Sequence, residues 1–191
     1  MPEEHQRLRR RVAFVMTSVI AMIGAIKAPA LADTHSVSAP IYVQEQSNWC
    51  WAATSRTILQ HYVRGGSLPS QCQIVKWGKQ SSTCPNSTGS FDSDVSQALA
   101  RGGLGNVGTV SSWAIPFANV RNDLHIDRLI MIRWGWRSGG GHMLVLRSYD
   151  TNGSQLGYIN PLNSGYQVAS YNWMVGAGTD HTWTHSRYAI Y

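Results

Sequence analysis

Charged residues are sparse in this sequence, and no dense cluster of basic residues is present beyond residue 32. Asp, Glu, Lys and Arg make up 14% of the 191 residues, and the formal net charge is +6. Five of the 16 basic residues and two of the 10 acidic residues lie within residues 1–32, so the rest of the chain carries +3. Nucleic-acid binding depends on clustered Lys and Arg, and we therefore expect no nucleic-acid partner. The hydrophobic content of 43% predicts one globular domain with a sizeable core.

The front of the chain has an apolar run that is short for a membrane span. It covers the 15 residues VAFVMTSVIAMIGAI, whereas a span needs about 20 residues. The basic stretch RLRRR precedes it, and the small residues APALA follow it. This order predicts a secretory signal peptide over residues 1–32, cleaved after Ala32, with an uncleaved membrane anchor as the alternative. We accordingly expect a secreted protein, extracellular or periplasmic, that begins near Asp33 and has no membrane contact after cleavage.

Cysteine is scarce, with Cys50, Cys72 and Cys84 in the whole chain. No Cys-x-x-Cys pair is present and a structural zinc would need a fourth ligand, so we predict no metal site. Export makes disulfides possible, but an odd number leaves one cysteine over. Cys72 and Cys84 flank a polar, loop-like stretch that a bridge would staple. We therefore predict that these two are bridged and that Cys50 is a free thiol.

Helical patterns come first along the chain, and strand patterns follow. The first predicted helix runs from Asn48, as its N-cap, to Tyr62, and the pair Gly65-Gly66 ends it. Further helices are predicted at residues 71–77, 91–103 and 116–124. Apolar runs between turn signals predict strands at residues 129–136, 142–149, 155–160, 165–171 and 183–191. Helices followed by antiparallel strands, with no repeat and no long linker, predict one α+β domain over residues 33–191.

The segment QEQSNWCWAAT, residues 44–54, places Cys50 in the first turn of the first predicted helix. Unpaired backbone N–H groups and the helix dipole favour negative charge there, and a thiolate is the nucleophilic form of cysteine. A nucleophilic site also needs a base, a group that orients the base and a donor to the oxyanion. The alternative is that Cys50 is an inert, buried thiol.

Three further residues are candidates for these roles. His142, in RSGGGHMLVL, starts an apolar strand after three glycines that let a substrate approach, and it is the candidate base. Asn160, in YINPLNSG, ends the next strand-like run and can accept a ring N–H. Gln44 lies six residues before Cys50 and is the candidate oxyanion donor. The alternatives are a turn role for Asn160, Gln46 as the donor, and His181 or His185 as the base. Otherwise, we expect four histidines at the surface: His61, His125, His181 and His185.

The order of Gln, Cys at a helix start, His on a strand and then Asn resembles the papain-like cysteine peptidases. The motifs Q-x5-C-W-A-A, WRSGGGH and INP are similar to those of a shorter bacterial branch, which includes avirulence proteases of plant pathogens and more often has Asp-Pro at the third motif. The resemblance covers residues 41–165. It implies a papain-like fold, in which an N-terminal helical half with the nucleophile helix packs against a C-terminal antiparallel sheet or barrel. The sequence departs from papain itself at Asn48 and Trp49, where papain has a glycine and a second cysteine.

The resemblance implies a secreted thiol endopeptidase that acts on protein or peptide substrates without a cofactor, and we expect a monomer. The implied catalytic residues are Cys50, His142 and Asn160, with Gln44 at the oxyanion. The expected cleft residues are Trp49, Trp51, Trp136, Gly140 and Gly141, while Trp134 and Trp136 could instead shield the His–Asn pair. A cell-wall peptide hydrolase or an acyl-transferring amidase could use the same triad. A binding or toxin-like protein with a degenerate site is a third alternative.

Overall fold

The structure is a computed structural model that describes residues 32–63 and 67–191. The predicted signal peptide covers residues 1–32, of which the structure describes Ala32 alone, and the glycine pair predicted to stop the first helix is at residues 65–66. Both predictions therefore lie outside the described residues.

The helices of the described residues lie mostly ahead of the long strands, as the sequence predicts. They are α1 (Cys50–Tyr62), α2 (Gln71–Lys79), α3 (Ser93–Arg101), α4 (Phe117–His125) and α5 (Tyr171–Val175). At the start of α2, the Ser70 hydroxyl accepts the backbone N–H of Gln73 at 3.1 Å and caps the helix. None of these helices is both long enough and apolar enough to pass through a lipid bilayer.

Seven strands in the described part of the chain form one antiparallel sheet. They are β1 (Thr34–Ser36), β2 (Thr109–Ser111), β3 (Ile130–Trp136), β4 (Gly141–Asp150), β5 (Gln155–Ile159), β6 (Tyr166–Ser170) and β7 (His181–Tyr188). The strand order is β2-β7-β3-β4-β5-β6, and β1 pairs with the far end of β4. The β3–β4 hairpin turns through Gly139 and Gly140, whose φ angles of 95° and 81° favour glycine. Helices packed beside an antiparallel sheet confirm the predicted α+β fold.

The helix α1 is buried along most of its length, where it packs against α2, α3 and β4. Trp51, in its first turn, is fully buried. Gly78 and Gly89 make room for the Trp51 indole, since a Cβ atom at either position would collide with the ring. The start of α1 is therefore held against the core by the largest side chain in that turn.

A disulfide joins Cys72, in α2, to Cys84, as the sequence predicts. Residues 85–87 follow directly, and their carbonyl groups accept the indole N–H groups of Trp49 and Trp51 at 3.0 and 3.1 Å. The bridge thus fastens the loop against which the start of α1 rests.

Candidate active site

Cys50 is the first residue of α1, so its thiol lies at a helix N-terminus. The N-cap position belongs to Trp49, which corrects the prediction of Asn48, and no side chain caps the helix start. Asn48 instead contacts Asn86: its backbone N–H donates to Asn86 Oδ1 at 3.0 Å, and its amide donates to Asn86 O at 3.2 Å. Because this loop contact takes the Asn48 side chain away, no side chain occupies the N–H groups of the first turn beside Cys50.

The thiol of Cys50 is free, and its surroundings act on it in two directions. Burial is the largest influence and raises the pKa of the Cys50 thiol above its usual value. The backbone N–H groups of Met143, in β4, and of Trp51 favour the thiolate, as does the charge of Arg133. The N–H groups at the start of α1 thus favour the thiolate, as the sequence predicts, but burial outweighs them. In the resting site the net direction is toward the thiol, and a base has to take its proton.

A short hydrogen bond joins His142 to Asn160. His142 is the second residue of β4, and Asn160 directly follows β5, the antiparallel neighbour of β4. His142 Nε2 lies 2.7 Å from Asn160 Oδ1. The same oxygen accepts the backbone N–H of Leu162 at 3.0 Å, so it is an acceptor and the ring carries a proton on Nε2. In the neutral ring, Nδ1 is then the nitrogen that can accept a proton.

The imidazole of His142 is enclosed on one side by an indole. Burial lowers the pKa of His142 below its usual 6.5, while the hydrogen bond to Asn160 raises it. Trp136 stacks on the imidazole, with ring centroids 6.1 Å apart and an angle of 22° between the planes. Trp134 instead stacks on His181, at 4.1 Å. Of the two tryptophans, Trp136 is therefore the one that covers the candidate base.

The alternative bases have other partners. His181 is 1% exposed, which corrects the surface position expected for it, and its Nε2 contacts a backbone carbonyl of α5 at 3.2 Å. His185 Nδ1 lies 3.0 Å from Thr184 Oγ1. Within the described residues, neither histidine is hydrogen-bonded to Asn160 or Cys50.

Among the described residues, Cys50 and His142 form no hydrogen bond with each other, but β4 brings the residue next to His142 to the thiol. The residue after His142 is Met143, whose backbone N–H faces the thiol. Catalytic pairs often tighten only when substrate binds, so a resting site without this hydrogen bond is compatible with the pairing.

Gln44 is fixed beside the turn that leads into α1. Its backbone N–H donates to Pro161 O at 2.8 Å, which ties it to the segment that follows Asn160. Its side-chain NH₂ group donates to Gln46 O at 2.9 Å and to Ser47 O at 2.8 Å. Its Oε1 is buried without a partner among the described residues. The amide is thus held at the turn that precedes α1, with its N–H groups directed at carbonyl oxygens.

A cavity of about 170 Å³ opens beside the thiol, and its lining residues are Cys50, Thr88, Gly89, Arg133, Gly140, Gly141 and Met143. The predicted cleft residues Gly140 and Gly141 are among them, and Trp136 is not. A larger groove, of about 950 Å³, includes neither Cys50 nor His142. Within residues 32–63 and 67–191, no three His, Cys, Asp or Glu side chains come close enough together to hold a metal ion.

Trp49 and Trp51 belong to the core and not to the wall of the cleft. They are 4% and 0% exposed, and their indole N–H groups are taken by the disulfide-held loop. The prediction that these two rings line the substrate cleft is therefore wrong, because the loop covers both of them.

Arg133 lines the cavity and is not among the residues that the sequence predicted for the site. Its guanidinium donates to Thr184 Oγ1 and to Gly140 O, each at 2.9 Å. A signal was present in the sequence, since Arg133 is the one charged residue in the apolar run at residues 129–136.

The family model described as papain-like cysteine protease AvrRpt2 matches residues 33–175 of the chain. The matched span covers most of the sequence and includes Cys50, His142 and Asn160. Among curated proteins, none matches this chain. Because the match extends over the helices and the greater part of the sheet, this protein belongs to the papain-like cysteine proteases of the AvrRpt2 family and is a cysteine peptidase.

Proposed function

We propose that this protein is a secreted endopeptidase that hydrolyses peptide bonds in proteins, with Cys50 as the nucleophile and His142 as its base. The observation that carries the proposal is the 2.7 Å contact between His142 Nε2 and Asn160 Oδ1. This contact leaves Nδ1 of His142 to accept a proton. His142 also directly precedes Met143 in β4, and the backbone N–H of Met143 faces the Cys50 thiol.

The chemistry begins when the proton of Cys50 Sγ passes to His142 Nδ1 and the sulfur attacks the carbonyl carbon of the scissile bond. His142 then gives its proton to the departing amine as the C–N bond breaks, which leaves a thioester on Cys50. Water loses a proton to His142 and attacks the thioester, the new carboxyl end departs, and the proton returns to the sulfur. Asn160 Oδ1 accepts the Nε2–H throughout and stabilises the positive charge that the ring carries between these steps.

Burial shapes this reaction because it disfavours both charged partners. It raises the pKa of the Cys50 thiol and lowers the pKa of the His142 imidazole, so each alone is neutral in the resting site. A thiolate and an imidazolium form together and are stabilised by each other and by the N–H group of Met143.

The oxyanion of the tetrahedral intermediate also needs hydrogen-bond donors, apart from the groups that act on the thiolate. We assign this role to the backbone N–H of Cys50 and to the side-chain amide of Gln44. The Gln44 N–H groups already donate to the carbonyl oxygens of Gln46 and Ser47. One of these hydrogens would be shared with the oxyanion as negative charge develops.

The test compares the wild-type protein with Cys50→Ala on casein and on purified peptidoglycan. We expect internal cuts in casein, no soluble fragments from peptidoglycan, and no cleavage of either by the variant. Release from peptidoglycan alone would favour the cell-wall hydrolase, and a Cys50→Ala variant that still cuts casein would refute the proposal. For secretion, N-terminal sequencing of exported protein is expected to begin at Asp33, whereas a chain that keeps residues 1–32 would contradict it.

A further inference from the structure

Arg133 is the charged wall of the cavity beside the thiol. The other lining residues are neutral: Cys50, Thr88, Gly89, Gly140, Gly141 and Met143. The charge of Arg133 is felt at the thiol, where it favours the thiolate. When the scissile bond of a substrate lies at the Cys50 thiol, a side chain next to that bond can therefore enter the cavity that Arg133 lines.

The two strands that carry Arg133 leave room for it. Gly135 of β3 and Gly141 of β4 are cross-strand partners. A Cβ atom at Gly141 would collide with the Arg133 guanidinium, and a Cβ at Gly135 would come within 3.3 Å of Arg133 Nη1. Glycine weakens a strand and often marks a close approach, so the guanidinium lies where both strands lack side chains.

The hydrogen bonds of Arg133 hold it in place but do not neutralise it. Its partners, Thr184 Oγ1 and Gly140 O, are both uncharged. A guanidinium has five N–H donors, and these contacts use two of them. Among the described residues, Arg133 forms no ion pair, whereas Arg56 and Arg121 each pair with a carboxylate. Arg133 is therefore a half-buried cation without a countercharge.

The nearby charges do not supply that countercharge. His185 lies opposite Arg133 across the β3–β7 pair, and the charge of Arg133 lowers its pKa, although burial is the larger cause. Asp92 raises the pKa of His185, yet it is exposed and forms no ion pair with Arg133 in the described structure.

We propose that Arg133 forms a carboxylate-binding subsite in this cavity, so that the peptidase prefers substrates with Asp or Glu next to the scissile bond. The proposal rests on the proposed function of Cys50. A guanidinium matches a carboxylate in shape and charge, and a cavity of about 170 Å³ can admit one acidic side chain. Arg133 thus sets specificity in addition to the effect of its charge on the thiolate, and it neither transfers a proton nor forms a bond in the reaction.

The experiment starts with a map of wild-type cut sites in a denatured protein mixture, which requires no variant. We expect Asp and Glu to be enriched at one position that flanks the cut. A peptide built on the best site is then compared with its Asp→Asn or Glu→Gln counterpart at that position. We expect kcat/KM to be about 10-fold or more higher for the acidic peptide, since a hydrogen bond to a charged group is being compared with a neutral one. The ratio should shrink as salt is added.

Three variants separate the possible roles of the arginine. In Arg133→Gln the ratio of acidic to amide peptide should fall to about one, and in Arg133→Lys it should persist. Arg137→Gln is the matched control, because Arg137 is exposed on the same hairpin and does not line the cavity, and its ratio should stay at the wild-type value. If Arg133→Gln fails to fold, the subsite is tested by the acidic enrichment in the wild-type cut-site map and by the ratio of acidic to amide peptide in Arg133→Lys.

Two results would overturn the subsite. One is a cut-site map without acidic enrichment. The other is an Arg133→Gln variant that loses activity on both peptides while their ratio stays at the wild-type value, which would leave Arg133 with no role beyond its effect on the thiolate or the hairpin. Failure of the proposed function looks different, because no cut sites would then depend on Cys50.

Discussion

Replacement of Asn160 by alanine removes the group that orients the imidazole of His142. The 2.7 Å contact to Asn160 Oδ1 fixes the ring with its proton on Nε2 and favours its protonated form. Without it, the ring can rotate or change tautomer, and Nδ1 is no longer held ready for the thiol proton. We expect Asn160→Ala to cleave substrate slowly, although its nucleophile Cys50 is unchanged and still a free thiol.

The size of the loss follows from the strength of this hydrogen bond. A hydrogen bond to a group that becomes charged contributes about 1.5–3 kcal/mol. At about 1.36 kcal/mol for each factor of ten, kcat/KM should fall about 10- to 150-fold. The pKa of His142 should also fall further below 6.5, because the hydrogen bond that raises it is gone and burial remains.

The assay is kcat/KM against pH for wild type, Asn160→Ala and Asn160→Asp. Because the resting pair is neutral, the acid limb reports protonation of the His142 imidazole, so it should move to lower pH in Asn160→Ala. Asn160→Asp keeps an acceptor for the Leu162 N–H and adds a negative charge that favours the imidazolium, so its acid limb should move to higher pH. A merely structural role for Asn160 would lower activity without moving either limb, and an Asn160→Ala variant with wild-type kinetics would show that Asn160 does not orient His142.

The remaining predictions concern packing and stability. A Cys72→Ser, Cys84→Ser double variant should lose about 3 kcal/mol of unfolding free energy in chemical denaturation, and an unchanged midpoint would contradict this. Trp136→Ala should raise the pKa of His142 toward 6.5, since burial is the larger cause of its lowering; NMR titration of the ring proton measures this, and an unchanged value would count against the stacking. A hydrogen bond from Arg121, in α4, is the largest influence on Asp33 and lowers the pKa of its carboxyl group. The Asp33–Arg121 pair therefore stabilises the fold fully above about pH 3.8, and this stabilisation is lost as the pH falls through the lower folded-state pKa. Asp33→Asn should therefore lower Tm at neutral pH, and the difference should vanish in strong acid; a difference that persists there would contradict the ion pair.

Much of the fold could be predicted because its long elements carry their own patterns. The predicted strand at residues 155–160 compares with β5 at Gln155–Ile159, and the predicted helix at residues 116–124 compares with α4 at Phe117–His125. The strands β1 and β2 have three residues each, so their strand character comes from pairing with β4 and β7 rather than from any local pattern.

The errors at the site share one physical cause, which is contact with a distant segment. Asn48 has the side chain of an N-cap, but Asn86 competes for it. Trp49 and Trp51 have the position of cleft residues, but the loop that follows Cys84 returns to cover them. No local pattern reveals which residues a loop will meet 36 positions later.

The His–Asn contact was within reach of the sequence because β4 and β5 are consecutive and antiparallel. The position of Arg133 in the cavity could not be predicted from the sequence. It depends on two glycines, Gly135 and Gly141, that lie opposite each other in β3 and β4. A lone charge in an apolar run signals a special environment, but it does not say what that environment contains.

In the proposed reaction, Cys50 carries the acyl group during peptide hydrolysis. The direct measurement is an acid quench of the enzyme with an excess of peptide ester during turnover, followed by intact-mass and peptide-map mass spectrometry. We expect one adduct, with the mass of the acyl half of the substrate, on the peptide that contains Cys50, and no adduct on Cys50→Ala. An adduct on another residue, or turnover by Cys50→Ala at the wild-type rate, would contradict it.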